Sequence, residues 1–68
     1  MNETMLKTIE TIGRNIKVGD RIEIGRRNLC VKDITPIDGA LRLTFASGGW
    51  SDVRPNEAVV VERFGDKN

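Results

Sequence analysis

The spacing of apolar residues changes once along the chain, near Val18. Before that point, four apolar side chains recur at intervals of four, three and four residues: Met5, Ile9, Ile12 and Ile16. These intervals place all four on one face of a helix. Gly13 is a typical residue at a helix end. The pattern therefore predicts a short amphipathic helix within residues 1–16.

After Val18 the apolar residues recur at every second position, as in strands that bury one face. Ile22 and Ile24 alternate with charged residues, and Leu41, Leu43 and Phe45 alternate with polar or small ones. This alternation and the turn residues between runs predict five short strands, at residues 21–24, 29–34, 41–46, 50–53 and 58–63.

Two local signals refine the second strand. Its apolar residues change face near Lys32 and Asp33, which predicts a β-bulge there. Pro36 is expected to end the strand because proline has no N–H to donate. The Asp38-Gly39 pair that follows is typical of a tight hairpin turn.

Five short strands with one apolar face are best buried by curling into a barrel. The predicted fold is therefore mainly β, a small five-stranded barrel at residues 17–64. An N-terminal helix precedes it and a loose tail follows at residues 65–68. The apolar faces predict a core of Ile22, Ile24, Leu29, Val31, Leu41, Leu43, Phe45, Val53, Val59 and Val61.

The stretch Val18-Gly19-Asp20-Arg21-Ile22-Glu23-Ile24 resembles the opening strand of SH3-like barrels, including KOW and Tudor-type modules. A strand at residues 50–53, a one-turn connector at 54–57 and a last strand at 58–63 resemble the close of that fold. The resemblance covers residues 18–63 and implies an SH3-like barrel. The glycine of KOW second strands and the aromatic cage of Tudor modules are missing, so no function is carried across.

The composition argues against catalysis. The chain has no histidine, no tyrosine and one cysteine, so a nucleophile would lack its usual base. One cysteine also supplies neither a disulfide nor a zinc site, and no glycine-rich phosphate loop is present. We therefore expect no enzyme activity and no cofactor, with Cys30 as a small buried hydrophobe.

No run approaches the ~20 apolar residues of a membrane span. The N-terminus also lacks the basic and apolar regions of a secretory signal. The sequence thus favours a cytoplasmic location and no membrane partner.

Positive charge is concentrated in one part of the chain. Residues 14–32 carry six basic side chains against two acidic ones, a net charge of +4, while the whole chain has +1. Adjacent arginines on a loop are well suited to phosphate contacts. The predicted nucleic-acid-binding residues are Arg26, Arg27, Lys32 and Arg42. A solvated basic loop without a partner is the alternative, and no aromatic is expected on the outward face that carries Arg42.

The second function that the sequence allows is protein binding. Trp50 follows a glycine turn and either caps the core or anchors a partner, since tryptophan is enriched at binding hot spots. The helix face with Met5, Ile9 and Ile12 either covers the barrel, joins two copies or enters a partner's groove. The leading hypothesis is a nucleic-acid-associated regulatory protein. The alternative is an adaptor or inhibitor that docks on a larger protein or forms a homodimer.

Overall fold

The computed structural model describes the backbone of residues 4–66 and the side chains of residues 6–65. It contains six antiparallel strands in one sheet, with a 3₁₀ turn at Gly13–Asn15. The strands are β1 (Thr4–Ile12), β2 (Arg21–Ile24), β3 (Arg27–Ile37), β4 (Ala40–Phe45), β5 (Trp50–Val53) and β6 (Ala58–Asp66). Within residues 4–66, no helix is long and apolar enough to span a membrane.

The strand order is β1-β6-β2-β3-β4-β5, so β1 and β5 are the two edges of the sheet. In the described part of the chain no backbone pairing joins these two edges, and the sheet is therefore open. This differs from the predicted closed barrel. The reason is that β6 lies between β1 and β2, so the edge of β6 that would close a five-stranded barrel is taken by β1.

The predicted N-terminal helix is wrong, because residues 4–12 form strand β1. All nine of its residues pair with β6, from Thr4↔Asp66 to Ile12↔Ala58. Thr8, Ile9, Thr11 and Ile12 are β-branched, which lowers helix propensity and suits a strand. Pairing with β1 satisfies the backbone groups on the edge of β6 that faces away from β2.

Strand β3 is longer than predicted and links the two halves of the sheet. Its first residues pair with β2, and its later residues pair with β4. The expected bulge is confirmed, since the register with β4 shifts between Val31 and Asp33. The strand continues through Pro36, which lies opposite Leu41. Proline is tolerated there because β2 has already ended and one edge of β3 is free.

The core is formed by the alternating side chains of β2 to β6. Among the side chains of residues 6–65, seven hydrophobic ones are buried: Ile16, Ile22, Val31, Leu43, Phe45, Val53 and Val61. The other predicted core residues, Ile24, Leu29, Leu41 and Val59, pack against this cluster. Ile16 joins the core from the segment after the 3₁₀ turn rather than from a helix. Cys30, expected to be buried, is only half-buried.

One charged pair supports this core. Asp20 is only 2% exposed and accepts two hydrogen bonds from the Arg63 guanidinium, both at 2.8 Å. It also accepts the Lys17 backbone N–H at 2.9 Å, and Arg63 donates to the Asn15 carbonyl at 3.1 Å. Burial by itself raises the pKa of Asp20, but these hydrogen bonds and the nearby positive charges lower it below the usual 3.8.

This depressed pKa predicts a loss of stability in acid. The unfolded chain protonates Asp20 near pH 3.8, whereas the folded chain does so only at lower pH. The Asp20 contribution is therefore complete above about pH 4 and is lost as the pH falls through the folded pKa. Urea unfolding between pH 7 and pH 2 should show this loss in the parent chain and a smaller one in Asp20→Asn. Equal pH dependence of the two proteins would contradict a depressed pKa at Asp20. The control is Asp33→Asn, which removes an exposed carboxylate.

Candidate binding surface around Trp50

Trp50 begins β5 and lies opposite Thr44 on β4. It is 59% exposed and does not cap the core. The reason is the alternation of β5, in which Val53 points into the core, so Trp50 and Asp52 point to the other side. The prediction that this outward face carries no aromatic is therefore wrong. Trp50, Thr44 and Arg42 lie on the same face.

Arg42 holds the Trp50 ring in place. Its guanidinium carbon is 3.9 Å from the ring centroid, a close cation–π contact. The same guanidinium donates two hydrogen bonds to Asp52, from Nε at 2.9 Å and from Nη2 at 3.1 Å. These bonds lower the pKa of Asp52 and raise the pKa of Arg42. The Trp50 ring is therefore exposed to solvent, yet its position is fixed by Arg42. Arg42 is in turn held by Asp52.

A groove of about 300 Å³ lies beside this cluster, between the β2–β3 turn and the β4–β5 turn. Arg27, Trp50 and the glycines 48 and 49 line it, and Phe45 lies at its apolar side. Gly48 and Gly49 both have positive φ, at 101° and 86°, a conformation that glycine adopts without strain. This glycine turn allows the chain to reverse tightly before Trp50, leaving the groove open.

Of the four residues predicted to bind nucleic acid, only Arg27 lines this groove. Arg26 lies exposed in the β2–β3 turn, and Arg27 begins β3 at the groove. Lys32 is exposed in the β3 bulge and does not line the groove. Arg42 is paired with Asp52, so its charge is largely neutralised. Among the side chains of residues 6–65, none hydrogen-bonds or ion-pairs with Arg26, Arg27 or Lys32.

The predicted partner-binding face at the N-terminus does not exist as a helical stripe. Ile9 is half-buried and packs on the core from β1, and Ile12 is also half-buried. The side chain of Met5 lies outside the described residues. Because residues 4–12 are paired along their whole length with β6, the proposed helix seam for a homodimer or a partner is not available.

Sequence reasoning missed the cluster of Arg42, Trp50 and Asp52. Each residue was visible, but their contact depends on the β4–β5 register that pairs Arg42 with Asp52. The available signal was the alternation of residues 50–53, because placing Val53 in the core directs Trp50 outward.

Comparisons with protein-family models, with curated proteins and with solved structures find no match to this chain. Within residues 4–66, no group of three or more His, Cys, Asp or Glu side chains is placed to hold a metal ion. The surface around Trp50 is therefore the candidate functional site of the described chain.

Proposed function

We propose that this chain is a non-catalytic binding module that contacts single-stranded nucleic acid through Trp50, Arg26 and Arg27. The observation that carries the proposal is the exposed Trp50 ring, held by Arg42, beside a groove that is lined by Trp50 and by the unpaired Arg27. An immobilised aromatic loses little conformational freedom when a ligand stacks on it.

The chemistry of these side chains suits unpaired bases. Stacking of a base on an aromatic side chain contributes about 1–3 kcal/mol and does not require a particular base. Arg26 and Arg27 lie at the adjoining turn, where guanidinium groups can reach phosphates without being buried. Duplex bases keep their faces stacked, so a single strand is the preferred form.

We further infer that residues 18–63 are an SH3-like module that β1 extends. The order β6-β2-β3-β4-β5 and the connector at residues 54–57 support this inference. Small barrels of several families bind ligands on strand faces and hairpin loops, which is where Trp50 and Arg27 lie.

The double variant Arg26→Ala with Arg27→Ala should bind a single-stranded oligonucleotide more weakly. Two fewer phosphate contacts should reduce the slope of log affinity against log salt by about 1.4. Anisotropy of a labelled oligonucleotide at several salt concentrations measures both effects. The charge-matched control is Lys17→Ala with Arg54→Ala, which removes two exposed positive charges elsewhere. An equal change in slope for the two double variants would argue against a local contact.

A protein partner is the second candidate, and the Arg42–Asp52 pair favours it. This pair leaves the face around Trp50 close to neutral. Tryptophan and arginine are also the residues most enriched at protein-binding hot spots. Salt separates the two candidates, since a phosphate-driven complex weakens steeply with salt and an apolar contact changes little.

A further inference from the structure

A second cleft adjoins the Trp50 groove, with which it shares Ile24 and Ser51 in its lining. Its volume is about 670 Å³, and it separates β5 on one side from β2 and β6 on the other. It opens where β2 and β6 separate beyond the pair Ile22↔Val61.

Free strand edges face this cleft. In the described chain β5 pairs only with β4, and Glu23 and Ile24 of β2 pair only with β3. Val59 and Val60 of β6 pair only with β1. Unpaired N–H and C=O groups along an edge are a template for another extended chain.

The side chains of the cleft divide into two classes. Its outer rim carries three carboxylates and one cation, Glu23, Glu57 and Glu62 with Arg21, together with Asp52, which is already paired with Arg42. Its inner side carries Ile22, Val53 and Val59, which belong to the core or pack against it. The division follows from strand alternation, which sends Glu23 and Glu62 outward and their neighbours Ile22 and Val61 inward.

We propose that this cleft binds an extended peptide segment of alternating basic and apolar residues, which adds to the free edge of β5. The basic side chains meet the carboxylate rim, and the apolar ones face Ile22 and Val53. Strand β5 has four residues, so the paired segment spans about 13 Å. This cleft adjoins the surface assigned to nucleic acid, but its carboxylate rim repels phosphates.

A labelled six-residue Arg-Val repeat, capped at both ends, tests the proposal by anisotropy at low salt. We expect saturable binding to the full chain and about tenfold weaker binding to Glu23→Gln with Glu62→Gln, because two charge contacts are lost. The control Glu10→Gln removes an exposed carboxylate of β1 that does not line the cleft, and should bind like the parent. A Glu-Val repeat should not bind.

Backbone pairing is tested separately. Replacing the central valine of the peptide with proline should abolish binding, and the parent peptide should slow hydrogen exchange of the amides at residues 50–53. Binding that tolerates proline and leaves these amides unprotected would overturn the strand-addition proposal. The proposal would also be overturned if the protein self-associated with rising concentration and the amides of residues 50–53 were then protected without peptide. In that case the cleft would be occupied by a second copy of the chain.

Discussion

Replacing Arg63 with alanine should lower the free energy of unfolding by about 3 kcal/mol. Asp20 would remain buried with its charge unpaired, and breaking a buried pair from one side costs about 3–5 kcal/mol. The lower end applies because the Arg63 side chain is 26% exposed, so water partly screens the pair. A domain of this size has a total stability on the order of 3–10 kcal/mol. Much of the variant should therefore be unfolded at moderate temperature.

Urea denaturation followed by circular dichroism measures this loss. The double variant Asp20→Asn with Arg63→Met should recover part of it, because neither charge is then buried alone. The control is Arg54→Ala, whose side chain is exposed and is not among the hydrogen-bonding or charged partners of Asp20. A loss below about 1 kcal/mol for Arg63→Ala would place the pair among ordinary surface ion pairs and contradict its structural role.

Replacing Gly13 with alanine should lower the free energy of unfolding by about 2–3 kcal/mol, the upper part of the range for forcing atoms into a packed site. A Cβ at this position would lie 2.0 Å from the Arg54 carbonyl oxygen, which is backbone and cannot rotate away. The same segment is held by hydrogen bonds from Gly13 N–H to the Glu57 carbonyl and from Arg14 N–H to the Pro55 carbonyl, both 2.9 Å. The added methyl group would push these two segments apart.

The matched control is Gly65→Ala on β6. A Cβ there meets only the Lys7 side chain at ordinary contact distance, 3.7 Å or more, and the φ angle is not positive. Alanine should therefore be tolerated at position 65 or be slightly stabilising, because glycine weakens a strand. Thermal unfolding of the two variants compares them directly. Equal melting temperatures would show that the close approach of Gly13 to Arg54 does not hold in solution.

Most of the sheet could be predicted because local signals agree with it. Alternating apolar residues indicated β2 to β6, the change of face near Lys32 indicated the bulge, and Asp38-Gly39 indicated the turn before Ala40. Gly39 has the positive φ of 76° that such a turn uses. These features depend on a few neighbouring residues, so the sequence carries them directly.

The N-terminal segment could not be predicted in the same way. Its apolar spacing fits one helical face, yet the segment is a strand because nine residues pair with β6, more than forty positions away. Gly13, read as a helix stop, is instead a point of close contact with residue 54. Both outcomes depend on long-range packing, which overrides weak local propensity.

The candidate site was predicted residue by residue but not as a surface. Arg26, Arg27 and Trp50 were each singled out, under two different functions. Their placement at one end of the sheet follows from how the β2–β3 and β4–β5 turns meet. The neutralisation of Arg42 by Asp52 follows from strand register. Neither the meeting of the two turns nor the pairing of Arg42 with Asp52 can be predicted from neighbouring residues alone.

The most direct test of the proposed function uses Trp50, the only tryptophan of the chain, as the reporter. The protein is titrated with single-stranded DNA, RNA and duplex DNA at low and moderate salt, and its fluorescence is followed alongside anisotropy of the labelled nucleic acid. The account predicts saturable quenching by a single strand, weaker with the duplex and weakened by salt. Unchanged fluorescence and unchanged anisotropy with all three ligands would contradict it.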